Sequence, residues 1–255
     1  MSGSNCICVA TVLLETGMIE MQEPYTTIRF DMPAGLVTAR ATCRDGKCER
    51  VELNMNASYL HAQEIPVKTQ NHGEIIVDIA FGGIFYALIE VSQTGLEITP
   101  ENARQLVSIG SEVQRALKEI VEVIHPENDQ LRDIAYAMFI GRDREGVLNG
   151  ATILPPGRID RSPCGTGNSA RMALMYERGE IKPGDSYLAR SIIGSEFELS
   201  MLGSSKVGSF DAVLPCVSGR GWIHGIHQIG LDPSDPFPLG YHVSDCWGDA
   251  TDLLL

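Results

Sequence analysis

The chain has 255 residues and a formal net charge of −13, from 33 Asp and Glu against 20 Lys and Arg. This acidic balance excludes a nucleic-acid surface built on a basic stripe, and no apolar run reaches the roughly 20 residues of a membrane span. Seven cysteines, an odd number scattered over a mid-sized chain, argue against a disulfide framework; a reducing, cytoplasmic setting is expected, with no nucleic-acid or membrane partner.

In chain order, a helix is expected from about Asn5 to Thr16, stopped by Gly17. A β-rich stretch follows. Thr26–Asp31 and Leu36–Ala41 alternate at period two, and Asp45-Gly46 makes a hairpin turn into Arg50–Leu53. Glu74–Phe81 reads as a mostly apolar strand, broken by Gly82-Gly83 and resumed over Ile84–Val91. Thr99-Pro100-Glu101 supplies an N-cap, a proline at the first helical position and a first-turn acid. Leu106, Ile109, Val113, Leu117, Ile120 and Ile124 then recur at helical spacing up to Pro126, which marks a core helix. The polar stretch around His125–Asp129 suggests a boundary between two lobes, 1–125 and 126–255. Strands are expected over Ala135–Ile140 and Val147–Leu154, and a helix from Gly167 to Arg178. Further strands are expected over Tyr187–Ile193, Glu196–Met201, Phe210–Pro215 and Gly221–Gly230. Leu231–Pro238 reads as a rigid turn, and the last fifteen residues carry no clear signal.

Two of these segments read as one piece written twice. Aligning Ser2 with Cys164 sets Gly3 on Gly165, Ser4 on Thr166, Glu15 on Glu177, Gly17 on Gly179 and Ile19 on Ile181. Each copy is a small proton-exchanging residue at a Gly-containing turn, followed by a short helix that stops at Gly. Two such helices aiming their N-termini at one cleft would hold an anion and place one reactive side chain on each side of it. That arrangement suits removal and return of a proton at a carbon next to a carboxylate.

Cys164 is the strongest candidate for chemistry. It follows Pro163 at a strand-to-helix turn, where a helix N-terminus favours a thiolate and the Gly165 and Thr166 amides are free for a carboxylate. The competing reading is an inert buried thiol; the context Asp160-Arg161-Ser162-Pro163-Cys164-Gly165-Thr166-Gly167 favours the reactive one. Asp160 could hold a substrate ammonium, or serve as a turn carboxylate. Cys43 and Cys48 resemble half a zinc knuckle, but no second pair has ligand spacing, and the hairpin accounts for Asp45-Gly46. No metal site is expected. His224 and His227, in a strand-like stretch, read as structural.

The residues from Asp160 to Gly167 resemble the second active-site motif of the proline racemase family, which includes 4-hydroxyproline epimerases and trans-3-hydroxyproline dehydratases. Met1-Ser2-Gly3-Ser4 resembles its first motif. Asp78–Ala87, Ser191–Phe197 and Leu231–Phe237 also match, so the resemblance spans nearly the whole chain. It implies an α/β (α+β) fold of diaminopimelate epimerase type: two pseudo-symmetric lobes, each wrapping mixed strands around a central helix, with the site between them. It implies no cofactor, neither pyridoxal phosphate nor metal. The implied ligand is a proline-type imino acid, and a homodimer is left open. Cys164 and Ser2 are then the catalytic pair, and Gly3, Ser4, Asp160, Gly165 and Thr166 the substrate-binding residues. The Arg161–Gly167 context argues against a diaminopimelate epimerase proper.

Two departures from the family pattern shape the expected activity. Ser2 stands where a second Cys is usual, and Ser4 where a His is usual. A hydroxyl is a far poorer base than a thiolate, so Cys164 is expected as base and Ser2 as proton donor or water positioner. This favours trans-3-hydroxy-L-proline dehydration, ahead of 4-hydroxyproline 2-epimerisation and proline racemisation. Family members also carry strands upstream of the first motif, so the first lobe is expected to lack them. A non-catalytic imino-acid-binding remnant is the alternative of a different class.

Overall fold

The computed structural model describes residues 2–241. Helix α1 (Gly3–Glu15) is followed by strands β1 (Tyr25–Met32), β2 (Gly35–Arg44), β3 (Lys47–Asn54), β4 (Ser58–Lys68), β5 (Glu74–Phe81) and β6 (Phe85–Glu90). Helix α2 (Ala103–Ile120) leads into the short β7 (Ile124–His125) and β8 (Asn128–Arg132). Next come β9 (Ile134–Arg142), β10 (Leu148–Leu154), β11 (Arg158–Ile159) and helix α3 (Gly165–Glu177). Strands β12 (Ser186–Ser191), β13 (Glu196–Val207) and β14 (Phe210–Gly219) complete the regular structure.

The main sheet closes on itself. Its order runs β14-β13-β12-β10-β9-β6-β5-β4, and β4 returns to β14 through the pairs Tyr59–Ala212 and Ser58–Val213. Two pairings, β6 with β9 and β10 with β12, are parallel; the other links of the ring are antiparallel. Helix α3 runs through this barrel, every residue from Gly165 to Met175 buried. Helix α2 packs outside, on β4, β9 and β10, through Leu106, Ile109, Val113 and Leu117. Strands with a helix on each side are covered on both faces, so β5, β6, β9 and β10 read as nearly continuous apolar runs.

Strands β1, β2 and β3 extend the sheet from β14, with β1 at its edge, while β11 pairs with β10 and β7 with β8. Helix α1 lies on β2, β3 and β14. Only one face of β2 and β3 is covered, which produces the buried–exposed alternation visible in the sequence. Helix α1 buries Cys6, Ile7, Ala10, Thr11 and Leu14; its far side leaves Val9 and Val12 at 45% and 42% exposure. The two helices are thus equal in length, with Ser2 and Cys164 as matching N-caps. One is encased by strands and the other covered on one side.

Several boundaries differ from the sequence expectations. Strand pairing crosses residue 125: β6 pairs with β9, and β3 and β4 both pair with β14. Strands β4–β6 belong to the barrel around α3 rather than with α1. Helix α2 ends at Ile120, and Ile124 begins β7. Gly221–Gly230 forms no strand: after Gly219 the chain to Tyr241 has no regular structure and is largely exposed, His224 and His227 included. The end of the expected terminal stretch, from residue 242, lies outside the described residues. Among the described residues, no helix is long and apolar enough to cross a membrane.

Candidate active site

The two repeated segments meet at their glycines. A Cβ placed on Gly3 would lie 3.3 Å from the Gly165 Cα, and a Cβ on Gly165 would lie 3.3 Å from the Gly3 Cα. This approach is closer than side-chain-bearing residues normally make, and it sets the N-termini of α1 and α3 against each other. Among the described residues, the amides of Gly3, Ser4, Gly165 and Thr166 donate to no other protein group. Four N–H groups without a partner among the described residues and two positive helix ends therefore lie at one junction, a setting suited to a small carboxylate.

Each helix presents its capping residue there. Ser2 accepts from the Asn5 amide at 3.5 Å, and its Oγ lies 3.5 Å from the Ser4 Oγ. Cys164 makes no side-chain cap; instead it adopts φ +69°, a conformation that a non-glycine residue seldom takes. Its neighbours hold it. The Cys164 amide donates to Ser162 Oγ at 3.2 Å, and Ser162 donates to Asp160 through its amide at 2.8 Å and its hydroxyl at 3.0 Å. Asp160 thus serves as the turn carboxylate of this loop, and it sits two hydrogen bonds from the cysteine.

The thiol is 6% exposed. Burial is the first reason its pKa is raised above the ordinary thiol value, and the Asp160 carboxylate pushes the same way. The Thr152 and Tyr86 hydroxyls and the Gly167 amide pull it back down. The thiolate expected from sequence is therefore opposed by desolvation, which a helix-terminus argument leaves out. Tyr86 was missed as a site residue although it lies in a matching motif, because its contact with Cys164 is purely tertiary.

Beside these groups opens a cleft of about 390 Å³, lined by Ser4, Ser162, Pro163, Phe197, Arg220 and Trp222 among others. The turn before β13 reaches the cysteine loop through Ser195 Oγ, which donates to the Arg161 carbonyl at 3.0 Å. Gly82, between β5 and β6, lets α3 approach: a Cβ there would lie 2.1 Å from the Thr166 carbonyl oxygen and 2.5 Å from the Ala170 nitrogen. Asp78 pairs with Arg178 at 2.8 Å and anchors the far end of α3 to β5. The structure therefore brings Gly3, Gly165, Thr166 and Cys164 together, with Ser2 and Ser4 on the facing helix end and Asp160 behind Ser162. Cys43 and Cys48 pair across β2 and β3 beneath α1, away from this cleft. No group of three His, Cys, Asp or Glu with metal-binding proximity occurs among the described residues.

A barrel threaded by one helix thus meets a twin helix end, with a cysteine at the junction. Residues 1–242 match the family model described as proline racemase, and the chain belongs to this family. It is 48% identical over 253 residues to a protein of Allorhizobium ampelinum named 4-hydroxyproline 2-epimerase, covering 99% of this chain and 73% of that protein. Among solved structures, a hydroxyproline epimerase from Agrobacterium vitis with bound trans-4-hydroxy-L-proline is similar at TM-score 0.90 and 48% identity, over 99% of this chain and 73% of that one. A probable proline racemase from Agrobacterium radiobacter with bound carbonate is similar at TM-score 0.90 and 45% identity, over 99% and 74%.

Proposed function

We propose that this chain is a hydroxyproline 2-epimerase, inverting the α-carbon of 4-hydroxyproline without a cofactor. The observation that supports this is the reciprocal 3.3 Å approach of Gly3 and Gly165, read here as one anion-binding junction with Ser2 and Cys164 at its two ends. The substrate carboxylate rests on the free amides of Gly3, Ser4, Gly165 and Thr166. Asp160, at the edge of the loop, receives the imino nitrogen. Cys164, as thiolate, removes the α-proton from one face, and Ser2 returns a proton to the other, directly or through a water it positions.

The junction also favours the transition state. As the α-proton leaves, negative charge grows into the carboxylate, and the four amides already point there. The raised thiol pKa has two effects. It lowers the fraction of Cys164 ionised at neutral pH, and it makes the ionised fraction a stronger base toward a weakly acidic C–H bond. The rate is therefore expected to rise with pH through the thiol titration.

The dehydratase expected from the Ser2–Cys164 pair gives way to the epimerase because similar proteins at 46–48% identity carry the 4-hydroxyproline 2-epimerase name. Ser2 still favours dehydration as the second reading, since a hydroxyl is a weak base for the reverse direction. The test is product analysis by chiral chromatography from trans-4-hydroxy-L-proline and trans-3-hydroxy-L-proline. Conversion of the first to cis-4-hydroxy-D-proline, with the second keeping its hydroxyl, supports the epimerase. Loss of water from the second with no change in the first would establish the dehydratase instead.

A further inference from the structure

Tyr86 is buried to 1% exposure on β6, inside the barrel, and takes no part in the proton transfer proposed above. Its hydroxyl lies 3.3 Å from Cys164 Sγ and 2.7 Å from Thr166 Oγ1. The ring is fixed. It packs edge-on against Tyr136, and a Cβ on Gly167 would already come within 3.3 Å of it. On β10, two strands along the barrel from β6, Thr152 is 2% exposed, and its hydroxyl makes no hydrogen bond of ordinary geometry. That hydroxyl nevertheless helps hold the Cys164 pKa down against burial.

A sulfur excluded from water ionises only if something replaces the water. Thiolates accept hydrogen bonds strongly and thiols donate weakly. A phenol fixed at contact distance therefore discriminates between the two states. We propose that Tyr86 is the positioning residue that makes Cys164 ionisable: its hydroxyl donates to the sulfur once the proton has left, Thr166 Oγ1 donates in turn to Tyr86, and Thr152 supplies a second hydroxyl. The direction of the relay follows from the thiolate having only lone pairs to offer. The same buried hydroxyls fix the sulfur lone pairs in space, so the base is aimed as well as ionised. Burial pushes the Tyr86 phenol well above its ordinary value, which keeps its proton available for donation.

This inference rests on Cys164 acting as the base, and the test separates the two. The Cys164 titration is read from thiolate ultraviolet absorbance, as the difference between each protein and its Cys164→Ala counterpart, with no substrate present. Tyr86→Phe keeps the ring and removes the hydroxyl; the midpoint should rise by about one unit or more, the worth of a hydrogen bond to a charged group. Adding Thr152→Val should raise it further. In α-proton exchange, Tyr86→Phe should lose about tenfold at neutral pH and recover at a pH above the shifted midpoint, whereas a packing role gives a loss independent of pH. Should Tyr86→Phe fail to fold, the parent is made with 3-fluorotyrosine, a more acidic phenol. Among the described residues Tyr86 is the one tyrosine whose hydroxyl reaches a cysteine sulfur, and the midpoint should then fall. A midpoint unchanged in the folded Tyr86→Phe protein, or in the fluorinated one, overturns the proposal. Exchange surviving in Cys164→Ala overturns the base assignment and leaves the titration result standing.

Discussion

Gly82→Ala is the substitution whose effect the structure fixes most tightly. The added methyl would sit 2.1 Å from the Thr166 carbonyl oxygen and 2.5 Å from the Ala170 nitrogen, all backbone atoms of α3. Neither can swing away as a side-chain tip could. Restoring an ordinary contact of about 3.4 Å requires the first turn of α3 to recede by more than 1 Å. Overpacking of this kind costs about 1–3 kcal/mol or more, and here part of it falls on the barrel closure between β5 and α3. The larger consequence is chemical. The displaced turn carries Cys164, Gly165 and Thr166, and a misplacement of about 1 Å costs on the order of 100-fold in rate. Stability is read by thermal and urea unfolding, and rate by deuterium uptake from D2O at the α-carbon of trans-4-hydroxy-L-proline. A Gly82→Ala protein with parental stability and parental exchange would refute the packing of α3 described here.

Two further outcomes follow from individual residues. Asp160→Asn removes the charge that lifts the Cys164 thiol, so the acid limb of the exchange profile should move to lower pH, while hydroxyproline binding by calorimetry weakens about tenfold or more; a profile and an affinity both unchanged would remove Asp160 from the site. Glu15, at the end of α1, accepts from Lys47 Nζ at 2.8 Å and from the Cys48 amide at 3.1 Å, and these bonds hold its carboxyl below the ordinary 4.5. Its stabilisation is complete above about pH 4.5 and is lost as pH falls through the lowered folded value. Glu15→Gln should therefore cost about 1 kcal/mol at pH 7, modest because Lys47 is exposed, and less at pH 3. Urea unfolding at both pH values measures the difference, and equal losses at both would show that the charge is irrelevant.

Much of the site was legible because its information is local. The repeat of Ser2-Gly3-Ser4 and Cys164-Gly165-Thr166 named both helix ends, and the glycines that permit their approach are in the motif itself. The Asp45-Gly46 turn and the break at Gly82-Gly83 were equally readable, since each needs a residue type that few alternatives supply. Strand β4 was not. Register shifts at Leu60/Ala62 and Ala62/Ile65 break its alternation, and Pro66 lies within it. Gly221–Gly230 failed for the opposite reason: its residues suggest a strand, but no neighbouring strand pairs with it among the described residues.

The segment leading to residue 125 carries a physical constraint that local reading leaves out. Two parallel neighbours cannot be joined by a tight turn and need a crossover, here α2 between β6 and β9. A long amphipathic helix between two apolar strands was thus evidence that β6 and β9 are neighbours in one sheet. The ionisation of Cys164 was also beyond local reading. Its position at a helix start was visible, but its burial, the Asp160 charge and the Tyr86 hydroxyl are brought to it by tertiary packing.

The central claim is that Cys164 removes the α-proton. Parent and Cys164→Ala are incubated with trans-4-hydroxy-L-proline in D2O, and deuterium at the α-carbon is followed by mass spectrometry. The parent should exchange, and Cys164→Ala, folded as judged by its thermal transition, should lose 100- to 10,000-fold, the usual contribution of a positioned base. Deuterium entering at the parental rate in Cys164→Ala would contradict the account.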